Sequence, residues 1–297
     1  MKDELSLSVV IPCGYTSRIP NVSHMVNCLM SSDAVPDEIL LVVDDTDAAK
    51  MILDLSIPAR VIYAPDAKPM TDKRNEGAKS ATGDIVAFLD DDEIPDKEWV
   101  KNIKKIYQEY KPIVVGGKVI TENAPQWLPN EFLWLVGGTT FPDHVHKVRN
   151  TWGGNTCILR EVLDTVQFDE HFGNNRIQGE DVMICSEIER KTGKRALYTP
   201  DIIVYHYPDE NKMKFWYLLK RAYWQGVTKK VLVKQGCSLG EEKDHLKTIV
   251  SNTQNYLKTP RKLFVLCLFT CAVGIGYLRG AETVGKRNKS KKAKDRE

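Results

Sequence analysis

Asp84-Ile85-Val86-Ala87-Phe88-Leu89-Asp90-Asp91-Asp92-Glu93 is the stretch that decides the fold. A short apolar run, opened by a turn signal at Gly83 and closed by Asp90, reads as a parallel strand covered on both faces. Four carboxylates then follow the carboxyl end of that strand, which is where open α/β sheets bind their ligands. Like charges packed there raise one another's pKa unless a cation neutralises them. Hard oxygen donors select Mg²⁺ or Mn²⁺, ions that usually arrive with a substrate's phosphates. The competing reading is an acidic helix start, with Asp92 or Glu93 capping a helix that begins near Asp96.

Working outward, Leu7–Pro12, Glu38–Val43 and Arg60–Tyr63 are further strand-like runs before this one, and Ile113–Val119 is the next after it. Helical patterns lie between them at Val22–Ser31, Ala48–Leu53 and Thr71–Ala81, and another runs from about Asp96 to Tyr110. Strand and helix alternating at this spacing predict an α/β fold, a doubly wound and mainly parallel sheet with right-handed crossovers. From Thr121 to Pro200 the chain is more irregular, rich in Gly and Trp, with a helix opening at Glu180-Asp181 and ending at Gly193. Such loops over a rigid sheet are where substrate contacts concentrate.

Composition narrows the class. Of 297 residues 42% are hydrophobic and 28% charged, ordinary globular material with ample core. Met1-Lys2-Asp3-Glu4 leads straight into a strand, so no signal peptide is expected. Seven scattered cysteines without a C-x-x-C pair point to a reducing compartment rather than to disulfides or zinc. The net charge of +2 hides a tail, 286–297, that carries seven basic and two acidic residues. A basic tail serves nucleic acid or an anionic membrane. Leu263–Leu278, without a charged residue, precedes it and favours the membrane, so no nucleic-acid partner is expected.

Several motifs fall in a fixed order. Leu41-Val42-Val43-Asp44-Asp45 is a second buried strand tipped with acids, and Lys73-Arg74-Asn75-Glu76-Gly77 starts a helix. The acidic run comes next, then Gly179-Glu180-Asp181, then Tyr198-Thr199-Pro200 leading to Val204-Tyr205-His206. From about Leu7 to Pro208 this arrangement resembles the family 2 glycosyltransferases of the GT-A fold. The resemblance implies a single catalytic domain over 1–208, with a nucleotide-sugar half (1–120) and an acceptor half (121–208). It also implies Mn²⁺ or Mg²⁺ as cofactor.

Roles can be argued residue by residue beside that resemblance. Pro12, Asp44 and Asp45 lie where a nucleobase meets the sheet edge; the family reads uracil with the second acid, although either acid can simply cap the next helix. A guanidinium at Arg74 suits phosphate oxygens or the base, unless it is a solvated surface charge. Gly77 implies close approach to ligand or sheet. The family's Asp-x-Asp pattern maps to Asp90 and Asp92, with Asp91 between, placing Asp92 and Asp90 on the metal and Asp90 and Asp91 also near ribose and metal-bound water; Glu93 is expected on the helix side. His206 can reach the metal or serve as a structural histidine. Asp181 is the expected general base, with Glu180 orienting the acceptor, because repulsion and partial burial raise a carboxylate's pKa. One base and one displacement imply inversion. Gly154 and Asn155 resemble the acceptor-side loop, and Trp152 is placed there to stack on a sugar; Trp127 and Trp134 serve stacking or the core. Processive synthases carry Gln-x-x-Arg-Trp after the base, whereas this chain has Lys220-Arg221-Ala222-Tyr223-Trp224-Gln225, so transfer of one sugar is expected. A nucleotidyltransferase and a non-catalytic membrane scaffold are the rival readings. The single glycine of Ile11-Pro12-Cys13-Gly14 counts against the first, and the intact acids against the second.

The remaining third is read as a helical, membrane-associated region (209–285) and a basic tail (286–297). From Lys212 to Lys234, Trp216, Leu219, Tyr223, Val227 and Val231 recur at helical spacing opposite Lys214, Arg221 and Thr228, as in an interfacial helix. Leu263–Leu278 would extend about 24 Å as a helix against a core of about 30 Å. Basic residues on both of its flanks favour a re-entrant hairpin bent near Gly274 and Gly276, held on the cytoplasmic face. An acceptor met there would be a polyprenyl phosphate or a lipid-linked saccharide.

Overall fold

The apolar runs pair into one mixed sheet. The computed structural model describes residues 5–14, 16–172, 177–238, 251 and 253–294. Its first four strands are β1 (Leu7–Pro12), β2 (Glu38–Val43), β3 (Arg60–Tyr63) and β4 (Ile85–Leu89). They lie side by side in the order β3-β2-β1-β4, all parallel. Helices α1 (Ile19–Met30), α2 (Thr46–Asp54) and α3 (Met70–Ser80) make the crossovers. Because these strands are parallel, their carboxyl ends at Pro12, Val43 and Leu89 share one edge.

Both faces of these strands are covered, which is why their sequences are apolar without alternation. Val9, Ile11, Ala87 and Leu89 point into one core with α1 and α4 (Trp99–Tyr110). Val10, Leu40, Val42 and Phe88 point into the other with α6 (Glu180–Thr192), which follows the short helix α5 (Arg160–Leu163). A methyl group on Gly77 of α3 would run into Val10, so this glycine lets a helix approach the sheet rather than a ligand.

The second half of the sheet is built differently. It comprises β5 (Glu93–Pro95), β6 (Val114–Thr121), β7 (His146–Val148), β8 (Asn155–Leu159) and β9 (Ala196–His206). β8 runs antiparallel to β4 and pairs Asn155 with Leu89, so the turn before β8 sits beside the tip of β4. β5 runs antiparallel to β9 and pairs Glu93 with His206. Glu93 is therefore fully buried in a strand, which corrects the helix-side placement expected for it. Helix α4 starts at Trp99 with Glu98 before it, so neither Asp92 nor Glu93 caps it.

The chain separates into two compact units, one of residues 1–123, 137–174 and 180–208, the other of 124–136, 175–179 and 209–297. In the second unit, Leu128, Phe132 and Leu135 form a core with Leu218 and Ala222 of α7 (Phe215–Lys234) and Val265, Leu266 and Phe269 of α8 (Pro260–Lys294). Trp127 packs here against Phe215, and Trp134 lies beneath the Lys229 ammonium. The buried side of α7 carries Leu218, Ala222, Gly226, Val227 and Thr228, while Trp216 is 76% exposed. The expected apolar face is thus rotated: Thr228 is inside and Trp216 outside. The expected bend at Gly274 and Gly276 is also absent, since α8 runs unbroken through both. Gly226 and Gly276 instead bring the two helices together, each abutting backbone of the other. Residues 295–297 of the basic tail lie outside the described residues.

Candidate active site

Three strand tips and one helix start converge in the first unit. At the tip of β4, Asp91 is almost wholly buried and accepts a hydrogen bond of 2.7 Å from the Gly14 N–H, just beyond β1. It also pairs with Arg18, at the end of the one-turn 3₁₀ helix Thr16–Arg18. Burial pushes the Asp91 carboxyl up, against the opposing pull of Arg18 and of the Gly14 N–H. The same guanidinium lies 3.0 Å from Asp92 Oδ2, while Asp92 Oδ1 is 3.6 Å from His206 Nε2. The Tyr207 N–H donates to the Asp92 carbonyl, fixing this acid at the end of β9.

Asp90, expected on the metal with Asp92 and His206, faces the other way and is taken up by Arg74. Its Oδ1 accepts from Arg74 Nη2 at 2.6 Å, and Arg74 Nη1 reaches Glu180 Oε1 at 3.2 Å. Arg74 is 2% exposed, stands over the Phe168 ring, and is held well above its ordinary pKa because the two carboxylates outweigh burial. Its Nε has no hydrogen-bond partner among the described residues. The sequence allowed a solvated arginine or one on phosphate; the structure has a buried strut between two acids.

That strut ends beside the expected base. Asp181 is half-buried in the first turn of α6, with Oδ1 accepting from the Val182 N–H. Burial, then the neighbouring charge of Glu180, pushes its carboxyl up to about 7, although Arg74 pulls it down. A carboxylate near neutrality is poised to take and return a proton at physiological pH.

At the tip of β2, Asp44 receives the Lys73 ammonium at 2.6 Å, and burial does not prevent its pKa from being lowered by that bond. Lys73 is 2% exposed and also donates to the Cys13 carbonyl beside Pro12. Asp45 is exposed and caps α2, its Oδ1 accepting from the N–H groups of Asp47 and Ala48. Of the two openings left by the sequence, the cap is therefore realised in Asp45.

The turn before β8 supplies the last wall. Trp152 Nε1 donates to Glu93 Oε1 at 3.0 Å, and Glu93 Oε2 accepts from the Asp90 N–H. Burial, then Asp90 and Asp92, holds the Glu93 carboxyl well above the usual range. Gly154 is required, since a methyl group there would strike Glu93 and Asp90. Asn155, expected on the acceptor side, is fully buried; its amide accepts from Trp99 and donates to the Ile202 and Lys118 carbonyls. That amide is used up inside the sheet, and Asn155 leaves the acceptor set.

Sequence reasoning missed three residues here. Arg18, Lys73 and Glu93 join the site through tertiary contacts, and the one local signal was a basic pair, Lys73-Arg74, facing two acidic tips. Among the described residues no three metal-binding side chains cluster, but Asp92 and His206 face each other at 3.6 Å. One or two protein donors fit an ion such as Mg²⁺ or Mn²⁺ that keeps waters and substrate phosphates as its other ligands.

The model of the family described as Glycosyl transferase family 2 matches residues 8–166. Glucosyl-dolichyl phosphate glucuronosyltransferase of Haloferax volcanii is 30% identical over 305 residues, covering 94% of this chain and 97% of that one. Among solved structures, GalNAc-T7 with UDP, GalNAc and Mn²⁺ superposes with a TM-score of 0.55 at 16% identity, over 84% of this chain. S. aureus TarS gives a TM-score of 0.55 at 16% identity, over 94% of this chain. The chain spans 55% of each of those two structures, whose likeness is one of GT-A fold. With its acid-tipped parallel strands, its matched family model and a relative similar over nearly full length, the chain belongs to glycosyl transferase family 2 and is a glycosyltransferase.

Proposed function

We propose that this enzyme moves one sugar from a nucleoside-diphosphate sugar, a uridine one by family habit, to a hydroxyl of a saccharide carried on a polyprenyl or dolichyl phosphate, with inversion. The observation that carries the reading is Asp181, pushed up to about 7 and joined through Glu180 and Arg74 to the tip of β4. A polyprenyl monophosphate is already anionic at neutral pH and attacks without a base. A sugar hydroxyl is not, so a tuned carboxylate favours the saccharide. The Haloferax relative, named for glucosyl-dolichyl phosphate, supports the same acceptor class.

In the mechanism Asp181 takes the proton of the attacking hydroxyl as the new glycosidic bond forms. Glu180, fixed by Arg74, orients the acceptor. Asp45 caps α2 with one oxygen and keeps the other for a ring N–H of the base. Pro12 and Asp44, the latter held by Lys73, shape the nucleotide side. Asp90 and Asp91 line the path of the ribose and diphosphate, and Trp152 and Gly154 form the acceptor wall. Asp92 and His206 would hold Mn²⁺ or Mg²⁺, which supplies positive charge for the departing nucleoside diphosphate.

Residues 1–208 would then do the chemistry while 209–285, with the basic 286–297, addresses the cytoplasmic face of a membrane. The segment Pro260–Gly280 has a mean hydropathy of 1.8 and is long enough to cross one, yet α8 also packs along α7. Phe264, Cys267, Cys271, Ile275 and Leu278 form an exposed apolar stripe at helical spacing on α8, which suits a helix lying on lipid.

The test is transfer from a panel of sugar nucleotides, with and without Mn²⁺, to polyprenyl phosphate and to polyprenyl-phosphate-linked glucose. The linked saccharide should accept and the bare phosphate should not. No metal-dependent release of a nucleoside diphosphate with any donor would sink the reading.

A further inference from the structure

We propose that Arg18 is an internal counter-ion, standing on the acids at the tip of β4 until a cation and a diphosphate arrive together. It rests on the reading that Asp92 and His206 hold the metal. Arg18 ends a one-turn helix directly after the loop that follows β1. Its Nη1 bridges Asp91 Oδ1 and Asp92 Oδ2, the latter at 3.0 Å. The three side chains are 19%, 1% and 11% exposed, so water screens this contact poorly. Arg18 thus offsets the charge of two adjacent carboxylates that the turn places next to the buried Glu93.

A divalent ion on Asp92 would find that guanidinium on the same carboxylate, and like charges at such range repel strongly. Metal and Arg18 therefore compete for Asp92. The diphosphate resolves the competition, because a planar guanidinium matches phosphate oxygens at least as well as a carboxylate. Arg18 then passes from the acids to the diphosphate as the cation takes the acids. Asp91 is the hinge of the exchange, since the Gly14 N–H continues to hold it. The consequence is thermodynamic: Mn²⁺ alone binds weakly, and Mn²⁺ and a diphosphate strengthen each other's binding reciprocally.

The experiment titrates Mn²⁺ into the full-length protein and reads unbound ion by its electron paramagnetic resonance signal, with and without inorganic pyrophosphate. Wild type is compared with Arg18→Met, which keeps the stem and loses the charge, with Arg18→Lys, and with Asp92→Asn. Arg18→Met should bind Mn²⁺ alone about 10-fold or more tightly than wild type, and pyrophosphate should improve its Mn²⁺ affinity at least 10-fold less. Arg18→Lys should behave like wild type. Equal Mn²⁺ affinity in wild type and Arg18→Met, or weaker binding in Arg18→Met, overturns the proposal. Should Arg18→Met fail to fold, Arg18→Gln carries the same prediction. Mn²⁺ binding that survives Asp92→Asn, or no binding by any protein with pyrophosphate present, removes the metal reading and this inference with it, which separates that failure from one confined to Arg18.

Discussion

Two acid-tipped strands stand on either side of β1, and they end in different ways. β2 closes on Asp44-Asp45: one carboxylate caps α2 through two backbone N–H groups, the other anchors the buried Lys73. β4 closes on Asp90-Asp91-Asp92, whose partners are the guanidinia of Arg18 and Arg74 and the ring of His206. Both tips read alike in sequence, as a buried run ending in acids. The difference teaches that position after a strand does not make a site. Asp45 is tied to its turn by two backbone N–H groups and Asp44 by a buried lysine, whereas Arg18 is shared between Asp91 and Asp92 and is itself partly exposed, so it can be exchanged for a ligand.

The hardest blow to this contrast would come from the base. The β4 tip is wired through Arg74 to Glu180 and so to Asp181; the β2 tip has no such link among the contacts described here. Asp181→Asn should lower turnover by about 10²–10⁴-fold while leaving donor binding intact. In the wild type, kcat/KM should rise with pH through about 7, because the proposed base would work deprotonated and the Asp181 carboxyl is held up to that value. Steady-state rates from pH 5 to 9 check both. A flat profile, or full turnover in Asp181→Asn, would leave the β4 tip with no chemical partner.

Removing the two buried cations comes next in size. Arg74→Met removes the one buried guanidinium that pairs with both Asp90 and Glu180, and breaking a buried pair from one side costs roughly 3–5 kcal/mol. Lys73→Met deprives a single acid, Asp44, which keeps Lys68 at 3.4 Å, so its cost should be smaller, about 1–3 kcal/mol. Urea unfolding of both variants measures the difference. If Lys73→Met proved the more damaging, the β2 tip would be the more deeply committed of the two, beyond what its single acid implies.

How much of this was legible beforehand follows from which contacts are local. β1, β2 and β3 were readable to the residue because an apolar run between turn signals carries its own boundaries. The acids after β2 and β4 and His206 stood out at the ends of such runs, and Glu180-Asp181 at a helix start after Gly179. Arg18 was not, since its partner Asp91 lies 73 positions away and nothing around Thr16–Arg18 marks it. β5 is three residues long and follows the acids without a break, so Glu93 looked like the start of a helix. Asn155 sits after two glycines and reads as a turn, but its amide bonds Trp99 and Ile202, which only the folded sheet brings near. On α7 apolar residues occur all round the helix, and which side is buried was decided by Gly226 and its fit against α8.

The smallest effect falls on Asp45 and is the sharpest divider of the two tips, because it can do two jobs with two oxygens. Oδ1 caps α2, and Oδ2 is the atom available to a nucleobase N–H. Asp45→Ala removes both and should cost about 1 kcal/mol of stability. Asp45→Asn keeps an oxygen for the cap, since Asn and Asp are equivalent there, but turns an NH₂ toward the base. A donor facing a donor forfeits a charge-assisted hydrogen bond, about 1.5 kcal/mol or more, so the KM for the sugar nucleotide should rise roughly 10-fold. The Tm and kcat should stay put. Should Asp45→Asn leave KM unchanged as well, the cap is the whole of Asp45's work, nucleotide reading passes to other residues, and the β2 tip becomes purely structural beside a β4 tip that carries the chemistry.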